Sequence, residues 1–423
     1  MPRSATHGAV SAAGLAGFVV GLCALRLTDP FPEKPELSAF LMVGLTAGAI
    51  FLVDLAWVRV HLRPSTGLDF GHDSPSWPRT SLKLLGLAGS LGFCALIYWL
   101  FPEYNGAFYD PYFGMLGLVV PFCLALSIPY FYMVDRHMAD PRDGYWHMGR
   151  LLALDWNGID VHVIGQHLLG WLVKAFFLPL MFVYFCNDLV RFLAADLDSL
   201  TAPDRLFEFL FDLCYLVDVG LAAMGYLISL RIVDTHLRSA EPTMLGWVAA
   251  LACYEPFASL VSRQYLQYGT ELKWGHWFWT MPSVHLLWGA AILALSGVYA
   301  WATVSFGLRF SNLTHRGIIT NGPYRWTKHP AYIAKNLSWW MISMPFMIET
   351  SAAEALRHSL LLVLMNGVYL LRAKTEEWHL SRDPDYIAYA LYMERHSLLR
   401  FISRLPLLGA LRYRPPAGYG GSR

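Results

Sequence analysis

The sequence has few charged residues and few cysteines. Charged side chains make up 15% of its 423 residues, whereas a soluble domain usually has about a quarter. The six cysteines all lie in apolar runs and include no C-x-x-C pair, so neither a disulfide framework nor a zinc site is indicated. The formal net charge of +1 identifies no charged partner, and we expect no nucleic acid among the partners.

The sequence also lacks the signature of a soluble nucleotide-binding domain. No glycine-rich turn follows a strand-like run, and strands do not alternate with helices. These absences exclude a soluble Rossmann architecture. A site for a nucleotide-like molecule would therefore have to be built from the ends of helices.

Long apolar runs dominate the chain instead. Hydrophobic residues make up 56% of it, and the mean hydropathy is +0.39. Because a membrane span needs about 20 apolar residues, the runs predict an all-α polytopic membrane protein with about ten transmembrane helices. The first run has no clear small-residue cleavage site, so we interpret it as a helix and not as a signal peptide. The predicted spans are roughly residues 8–26, 37–58, 82–101, 113–134, 162–186, 207–233, 243–262, 281–307, 331–349 and 353–371.

Charge alternates between successive loops. Arginine and lysine collect in the second, fourth, sixth and eighth loops and in the C-terminal tail, whereas the third and fifth loops are acidic. By the positive-inside rule, this alternation predicts that both termini are cytoplasmic, at the inner or plasma membrane if the protein is bacterial. It also places loop 309–330 and the tail on the same side of the membrane.

We predict three regions along the chain. They are an N-terminal membrane region of about seven helices at 1–280, a second membrane module at 281–405 and a disordered tail at 406–423. Loop 135–167 is rich in histidine and aspartate but has no H-x-x-x-H or H-E-x-x-H spacing, so we expect no metal. Ionisable residues within the predicted spans are either functional or paired between helices; they are Asp54, Lys174, Asp212, Asp218, Glu255 and His285.

A polar stretch at 317–335, GIITNGPYRWTKHPAYIAK, separates two of the apolar runs. Gly322 and Pro323 indicate a turn, and Pro330 suits the first turn of a new helix. His329 would then lie at the N-terminus of that helix beside two cationic side chains, where anionic groups are favoured. The alternative interpretation is a basic cytoplasmic loop without a binding role.

A second charged motif lies where the last predicted span leaves the membrane. Arg372 and Glu376 are four residues apart and share a helix face, whereas Glu377 points about 100° away. Arg372 either holds a carboxylate of a ligand through its bidentate fork or neutralises Glu376. The alternative for the whole motif is a salt-bridged helix end without a ligand.

The order of these motifs resembles a known family. GPYRWTKHPAY, an apolar hairpin, RAKTEEWHL and DPDYIAY together are similar to the isoprenylcysteine carboxyl methyltransferase family, a group of integral-membrane methyltransferases that includes phospholipid N-methyltransferases. The resemblance covers roughly residues 300–400. Lys328 stands where the family usually has arginine before His-Pro, which keeps the charge and loses the bidentate fork.

The resemblance implies a cofactor, S-adenosylmethionine, enclosed by the His-Pro loop and the acidic pair. Tyrosines near the motifs are candidates for stacking on the adenine or lying over the sulfonium, although they also suit an interfacial aromatic belt. The predicted catalytic residues are Arg372 and His329, and the predicted cofactor-binding residues are Tyr324, His329, Pro330, Tyr332, Glu376, Glu377 and Tyr386.

These expectations define a membrane-embedded, S-adenosylmethionine-dependent methyltransferase. Its acceptor would be a lipid-like or other amphipathic small molecule, such as a prenyl- or thiol-containing one. Positioning would supply most of the rate, and His329 would act as a base only for a thiol, amine or hydroxyl acceptor. One alternative is an NADPH-dependent enzyme like the membrane sterol reductases, and another is a non-catalytic lipid binder or transporter. No oligomeric state is predicted.

Overall fold

The computed structural model describes residues 1–269, 272–349, 351–401 and 412–416. In these residues the regular secondary structure is almost entirely helical, as the apolar runs predict. The predicted tail at 406–423 lies outside the described residues apart from 412–416, and Thr350 also lies outside them. The α-helices are α1 (Gly8–Thr28), α2 (Pro35–Leu52), α3 (Trp77–Leu100), α4 (Asp110–Asp135), α5 (Gly144–Leu152), α6 (Val161–Leu193), α7 (Pro203–Leu227), α8 (Met244–Leu251), α9 (Trp274–Phe278), α10 (Pro282–Phe306), α11 (Pro330–Ser343), α12 (Ala352–Leu380) and α13 (Pro384–His396).

Six helical segments of the described chain are long and apolar enough to cross a membrane. They confirm a multi-pass membrane protein, whereas the predicted count of ten is not confirmed. Helix α7 has 25 residues but carries several acidic side chains, which lower its hydropathy. The six segments are Gly8–Thr28, Pro35–Val58, Trp77–Leu100, Ala107–Asp135, Val161–Leu193 and Pro282–Arg309.

The predicted span at 243–262 is wrong as a single helix. Helix α8 ends at Leu251, and a π-helical segment begins only at Ser259. Pro256 lies between them, and proline cannot donate the backbone hydrogen bond that a continuous helix needs. Helix α11 is also short: its 14 residues measure about 21 Å, less than the roughly 30 Å of a bilayer core.

The hydrophobic core surrounds α6, which packs against α7, while α7 packs against α10. Phe177, Phe182 and Phe185 of α6 are fully buried. The Phe177 ring stacks on Tyr226 of α7 with their centroids 5.4 Å apart. A helix buried along much of its length is expected at the centre of a bundle, and α6 packs against α2, α3, α4, α5 and α7 in this way.

Two short strands and a buried arginine join the N-terminal helices to the C-terminal part. Strands β1 (Ser239–Ala240) and β2 (Thr314–His315) pair antiparallel. Immediately after β2, Arg316 donates from Nε to the Thr235 carbonyl at 2.7 Å and from its terminal nitrogens to the carbonyls of Gly225 and Ile228. Because α7 ends at Leu227, Arg316 satisfies carbonyls that the helix terminus leaves without partners.

We therefore expect Arg316→Lys to destabilise the protein by about 2–3 kcal/mol, since one ammonium cannot reach all of these carbonyls and each unsatisfied buried group costs about 1–3 kcal/mol. Thermal unfolding of the purified protein in detergent measures this effect. Arg325→Lys, which changes an exposed arginine of the same loop, is the matched control. Equal melting temperatures for the two variants would contradict the capping role.

Candidate active site

A narrow cavity of about 70 Å³ lies between α11, α12 and the turn that follows α10. Its walls are mostly aromatic, and four titratable side chains other than tyrosine point into it. The aromatic walls are Tyr254, Tyr299, Phe306, Phe310, Tyr324, Tyr332 and Tyr369, and the four side chains are His329, Lys335, Arg372 and Glu376.

The His-Pro motif forms the start of α11. Pro330 is the first residue of the helix and His329 is its N-cap, as the sequence predicts. Proline is favoured here because the first helical N–H has no partner within the helix. The His329 ring stacks on Tyr332 at 5.5 Å with an interplanar angle of 7°. This stacking holds the imidazole at the edge of the cavity.

Arg372 is buried and lies in an aromatic cage. Its guanidinium carbon is 5.1 Å from the ring centre of Tyr254, 5.0 Å from Tyr332 and 6.0 Å from Tyr369. Its Nη2 donates to Asn312 Oδ1 and, at 3.3 Å, to the Tyr254 hydroxyl. These described partners do not include Glu376, so the interpretation that Arg372 neutralises Glu376 is wrong.

Glu376 and Glu377 have different surroundings. The Glu376 carboxylate lines the cavity and accepts a hydrogen bond of 2.9 Å from the Tyr332 hydroxyl. Glu377 instead lies among three cationic or titratable groups: Lys328 at 2.9 Å, His329 Nε2 at 3.2 Å and Lys374 at 2.7 Å. Adjacent helical residues point about 100° apart, so only one of the two acids faces the cavity.

The environment of Glu377 strongly favours its ionised form. Burial by itself raises the pKa of a carboxyl, but the hydrogen bond from His329 and the charges of His329, Lys328 and Lys374 hold the pKa of Glu377 well below its usual range. The side chain is 4% exposed. Glu377 therefore ties the His-Pro loop to α12 as a buried anion.

The remaining predicted residues are divided between the cavity and its surroundings. Tyr324 and Tyr332 line the cavity, and the Tyr324 ring packs edge-on against Phe306 at 5.3 Å. Tyr386 lies instead in a separate buried cluster on α13, where its ring is 6.0 Å from that of Tyr413. The structure thus brings His329, Tyr324, Tyr332, Arg372 and Glu376 together and leaves Tyr386 outside the cavity.

Sequence reasoning missed several residues of the site. Tyr254 precedes Arg372 by 118 positions and carries no motif, yet its hydroxyl accepts from Asn312 at 2.9 Å as well as from Arg372. Lys335 lies one turn beyond Tyr332 on α11 and contacts three aromatic rings, including Tyr369 at 5.7 Å. The spacing of Lys335 from the His-Pro motif is the only sequence feature that indicates its position in the site. No sequence feature indicates that Tyr254 belongs to the site.

The histidine-rich segment 135–167, predicted as a loop, contains α5 and the start of α6. Two of its histidines form hydrogen bonds within the fold. His147 Nδ1 accepts from the Asp160 backbone N–H at 3.1 Å, and His167 Nε2 contacts the Ser90 hydroxyl at 2.7 Å. In the described part of the chain, no group of three histidine, cysteine, aspartate or glutamate side chains is placed to hold a metal ion.

Comparison with known proteins agrees with the geometry in one region. Residues 283–382 match the model of the isoprenylcysteine carboxyl methyltransferase (ICMT) family, which confirms the resemblance inferred from the motifs. No curated protein and no solved structure matches the chain. The matched residues contain α10, α11 and α12 and most of the cavity described above. By this match, residues 283–382 form an ICMT-like module within a multi-pass membrane protein.

Proposed function

We propose that this protein is an S-adenosylmethionine-dependent methyltransferase that binds its cofactor in the cavity between α11 and α12 and methylates a lipid-like or prenyl- or thiol-containing acceptor from the membrane. The observation that carries the proposal is the presence of a carboxylate, Glu376, and a guanidinium, Arg372, in one aromatic-walled cavity of the ICMT-like module. The methionyl end of S-adenosylmethionine needs both charges, because it carries an ammonium and a carboxylate.

The chemistry of the cavity fits the cofactor. Glu376 has one described hydrogen bond, from Tyr332, and an ionised carboxylate offers about four acceptor sites, so it can also bind the ammonium or the ribose hydroxyls. Both described hydrogen bonds of the Arg372 guanidinium come from Nη2, which leaves the rest of its fork for a carboxylate. The electron-rich faces of Tyr254, Tyr332 and Tyr369 suit a sulfonium cation.

The size of the cavity sets a condition on binding. Ligand sites usually enclose about 300–1,000 Å³, and this cavity has about 70 Å³. Accommodating a whole cofactor therefore requires the walls of the cavity between α11 and α12 to move apart. The contacts of Glu377 with Lys328 and His329 join the start of α11 to α12, and they would keep the His-Pro loop in register while the cavity widens away from them.

When bound, S-adenosylmethionine would supply an activated methyl group on its sulfonium. The residues of the chain would then mainly position and desolvate the reactants, which is the largest contribution available when a carboxylate acceptor needs no base. His329, oriented by Glu377 and Tyr332, would accept the proton of a thiol, amine or hydroxyl acceptor. Glu377 and Tyr386 do not line the cavity. They would stabilise the surrounding structure, Glu377 through the His-Pro loop and Tyr386 through packing on α13.

Titration of the purified protein with S-adenosylmethionine and, separately, with NADPH tests the proposal. We expect S-adenosylmethionine to bind and Glu376→Gln to weaken this binding about 10- to 100-fold, because a charge-assisted hydrogen bond contributes about 1.5–3 kcal/mol. Glu354→Gln, which changes an exposed glutamate on the same helix, is the matched control and should bind as the unchanged protein does.

Other outcomes would overturn the proposal in different ways. Binding of NADPH in place of S-adenosylmethionine would assign the protein to a reductase, with Lys328 and Arg372 as phosphate ligands. Absence of binding by either molecule would support a lipid binder or transporter that has kept the module without its chemistry. Equal affinity in the wild type and Glu376→Gln would remove Glu376 from the site.

A further inference from the structure

A second and much larger cavity lies outside the ICMT-like module. It has a volume of about 1160 Å³ and is bounded by α2, α3, α4, α5 and α6 and by the segment that follows α7. Its wall on α6 runs from Val163 to Lys174, which is about 16 Å along the helix axis. Drug-sized ligand pockets usually enclose about 300–1,000 Å³, so this cavity is large enough for a lipid-sized molecule.

The cavity is mainly apolar, and its rim includes exposed apolar side chains of α4, a candidate membrane span. Phe40, Phe51 and Phe131 contribute aromatic surface, and α4 contributes Phe122 and Leu126. These last two side chains are 64% and 65% exposed, although they also line the cavity. An apolar cavity whose rim faces the hydrocarbon region can receive an acyl chain directly from the membrane.

On the α2 side, two glycines without side chains leave part of the cavity open. Gly44 and Gly48 both line the cavity one helical turn apart, and a Cβ placed on either of them would meet no atom within 4 Å. Neither residue is required by close helix packing. A larger side chain at Gly44 would therefore fill the cavity without displacing a neighbouring helix.

The charged residues of the lining have an excess of positive charge. Four are cationic and two are acidic, so with neutral histidines the balance is two positive charges. Lys83 lies 2.8 Å from Asp135 and 3.4 Å from Asp143, so both carboxylates are already paired at one end of the cavity. The cations are Lys83, Lys174, Arg231 and Arg238, and the acids are Asp135 and Asp143.

On α6, Lys174 lies about three turns after Val163, the first residue of that helix to line the cavity. Its ammonium is 5.3 Å from the ring centre of Trp171, and no carboxylate of the described residues forms an ion pair with it. A cation within a membrane span is costly unless an anion, water or a cavity accommodates it. Since the surrounding wall is apolar, the cavity at Lys174 is complementary to an anionic group attached to an apolar chain.

We propose that this cavity binds an amphipathic molecule with a single extended acyl chain and one anionic group, and that the anionic group pairs with Lys174. The proposal is independent of the methyltransferase function, because none of the lining residues lies in 283–382. A fatty carboxylate and a lysolipid phosphate share this chemistry, and binding measurements can separate them.

The test uses the full-length protein in phosphatidylcholine nanodiscs and the fluorescent C18 carboxylate cis-parinaric acid, with empty nanodiscs as the baseline. We expect the acid to bind about 10- to 100-fold more tightly than its methyl ester, as expected for a charge-assisted hydrogen bond. Lys174→Met should abolish this preference and leave the affinity for the ester unchanged. Lys273→Met, at an exposed lysine outside the cavity, should behave as the unchanged protein.

A second variant tests the acyl-chain site and does not depend on the folding of Lys174→Met. Gly44→Phe should weaken binding of both the acid and the ester at least about tenfold, since the new ring occupies the acyl path. Gly92→Phe on α3 is its control, because a Cβ there also meets nothing within 4 Å and Gly92 does not line the cavity. Equal binding by the Gly44→Phe and Gly92→Phe proteins would overturn the proposal.

Competition and a third variant decide which anion is preferred and where it binds. Displacement of the probe by oleoyl lysophosphatidate more strongly than by oleate would assign the site to a phosphate headgroup, and the reverse would assign it to a fatty carboxylate. Loss of the acid preference in Arg231→Met but not in Lys174→Met would place the anion at Arg231 and refute the assignment to Lys174.

Discussion

Arg372→Lys is expected to weaken S-adenosylmethionine binding about 10- to 100-fold while leaving the fold intact. Lysine keeps the positive charge but loses the planar fork that can hold a carboxylate through two hydrogen bonds. Loss of one of two charge-assisted hydrogen bonds, at about 1.5–3 kcal/mol, accounts for a change of this size. Isothermal titration with S-adenosylmethionine measures the change, and a melting temperature measured alongside it establishes that the variant is folded.

Arg357→Lys is the matched control for this prediction. Arg357 lies on the same helix, is exposed and pairs with Glu354, so its substitution should change neither cofactor binding nor stability. If Arg372→Lys binds the cofactor as tightly as the Arg357→Lys protein does, then the aromatic cage around Arg372 has a structural role only. The cofactor carboxylate would in that case have to be held elsewhere.

Glu377→Gln is expected to lower the stability of the protein by about 3–5 kcal/mol, the usual cost of removing one partner from a buried ion pair. Lys328, His329 and Lys374 all lie within 3.2 Å of this carboxylate, and a neutral amide would remove the shared anion from this buried group, although Lys328 would keep its ion pair with Glu394 at 3.0 Å. The neighbouring Glu376→Gln should change cofactor affinity with little effect on stability. Thermal unfolding of the two variants beside the wild type makes the comparison.

The pH dependence of protein stability provides a second test of the role of Glu377. Because the pKa of Glu377 is lowered in the folded protein, its contribution to stability is fully present above the unfolded value of about 4.3. This contribution is lost as the pH falls below that value toward the folded pKa. The stability difference between the wild type and Glu377→Gln should therefore shrink on acidification below about pH 4.3. A difference that grows on acidification would contradict the buried-anion role.

The local features of the site were predictable from the sequence because each depends on nearby residues. Pro330 begins α11 since proline tolerates the first helical position and disrupts any later one. Arg372 and Glu376 share a helix face because they are four residues apart. The long apolar runs identify membrane spans through composition alone, and six of them satisfy that test in the structure.

Other features depended on contacts that no local pattern records. The sequence does not distinguish the roles of the adjacent acids Glu376 and Glu377. Which of them lines the cavity depends on which face of α12 meets α11. The partner of Arg372 proved to be Asn312, together with Tyr254 from the segment after α8, and not Glu376. In the predicted span at 243–262, Pro256 indicates a kink, whereas in the structure α8 already ends at Leu251.

By itself, the sequence determined that this chain is a helical membrane protein with an ICMT-like module, and which short motifs the module contains, because composition and spacing are local properties. Only the tertiary structure decided that Glu376 faces the cavity while Glu377 is buried among cations, and that the N-terminal helices enclose a large apolar cavity around Lys174. Both results follow from how helices distant in the chain rotate and pack against one another, which residue spacing within a single helix does not specify.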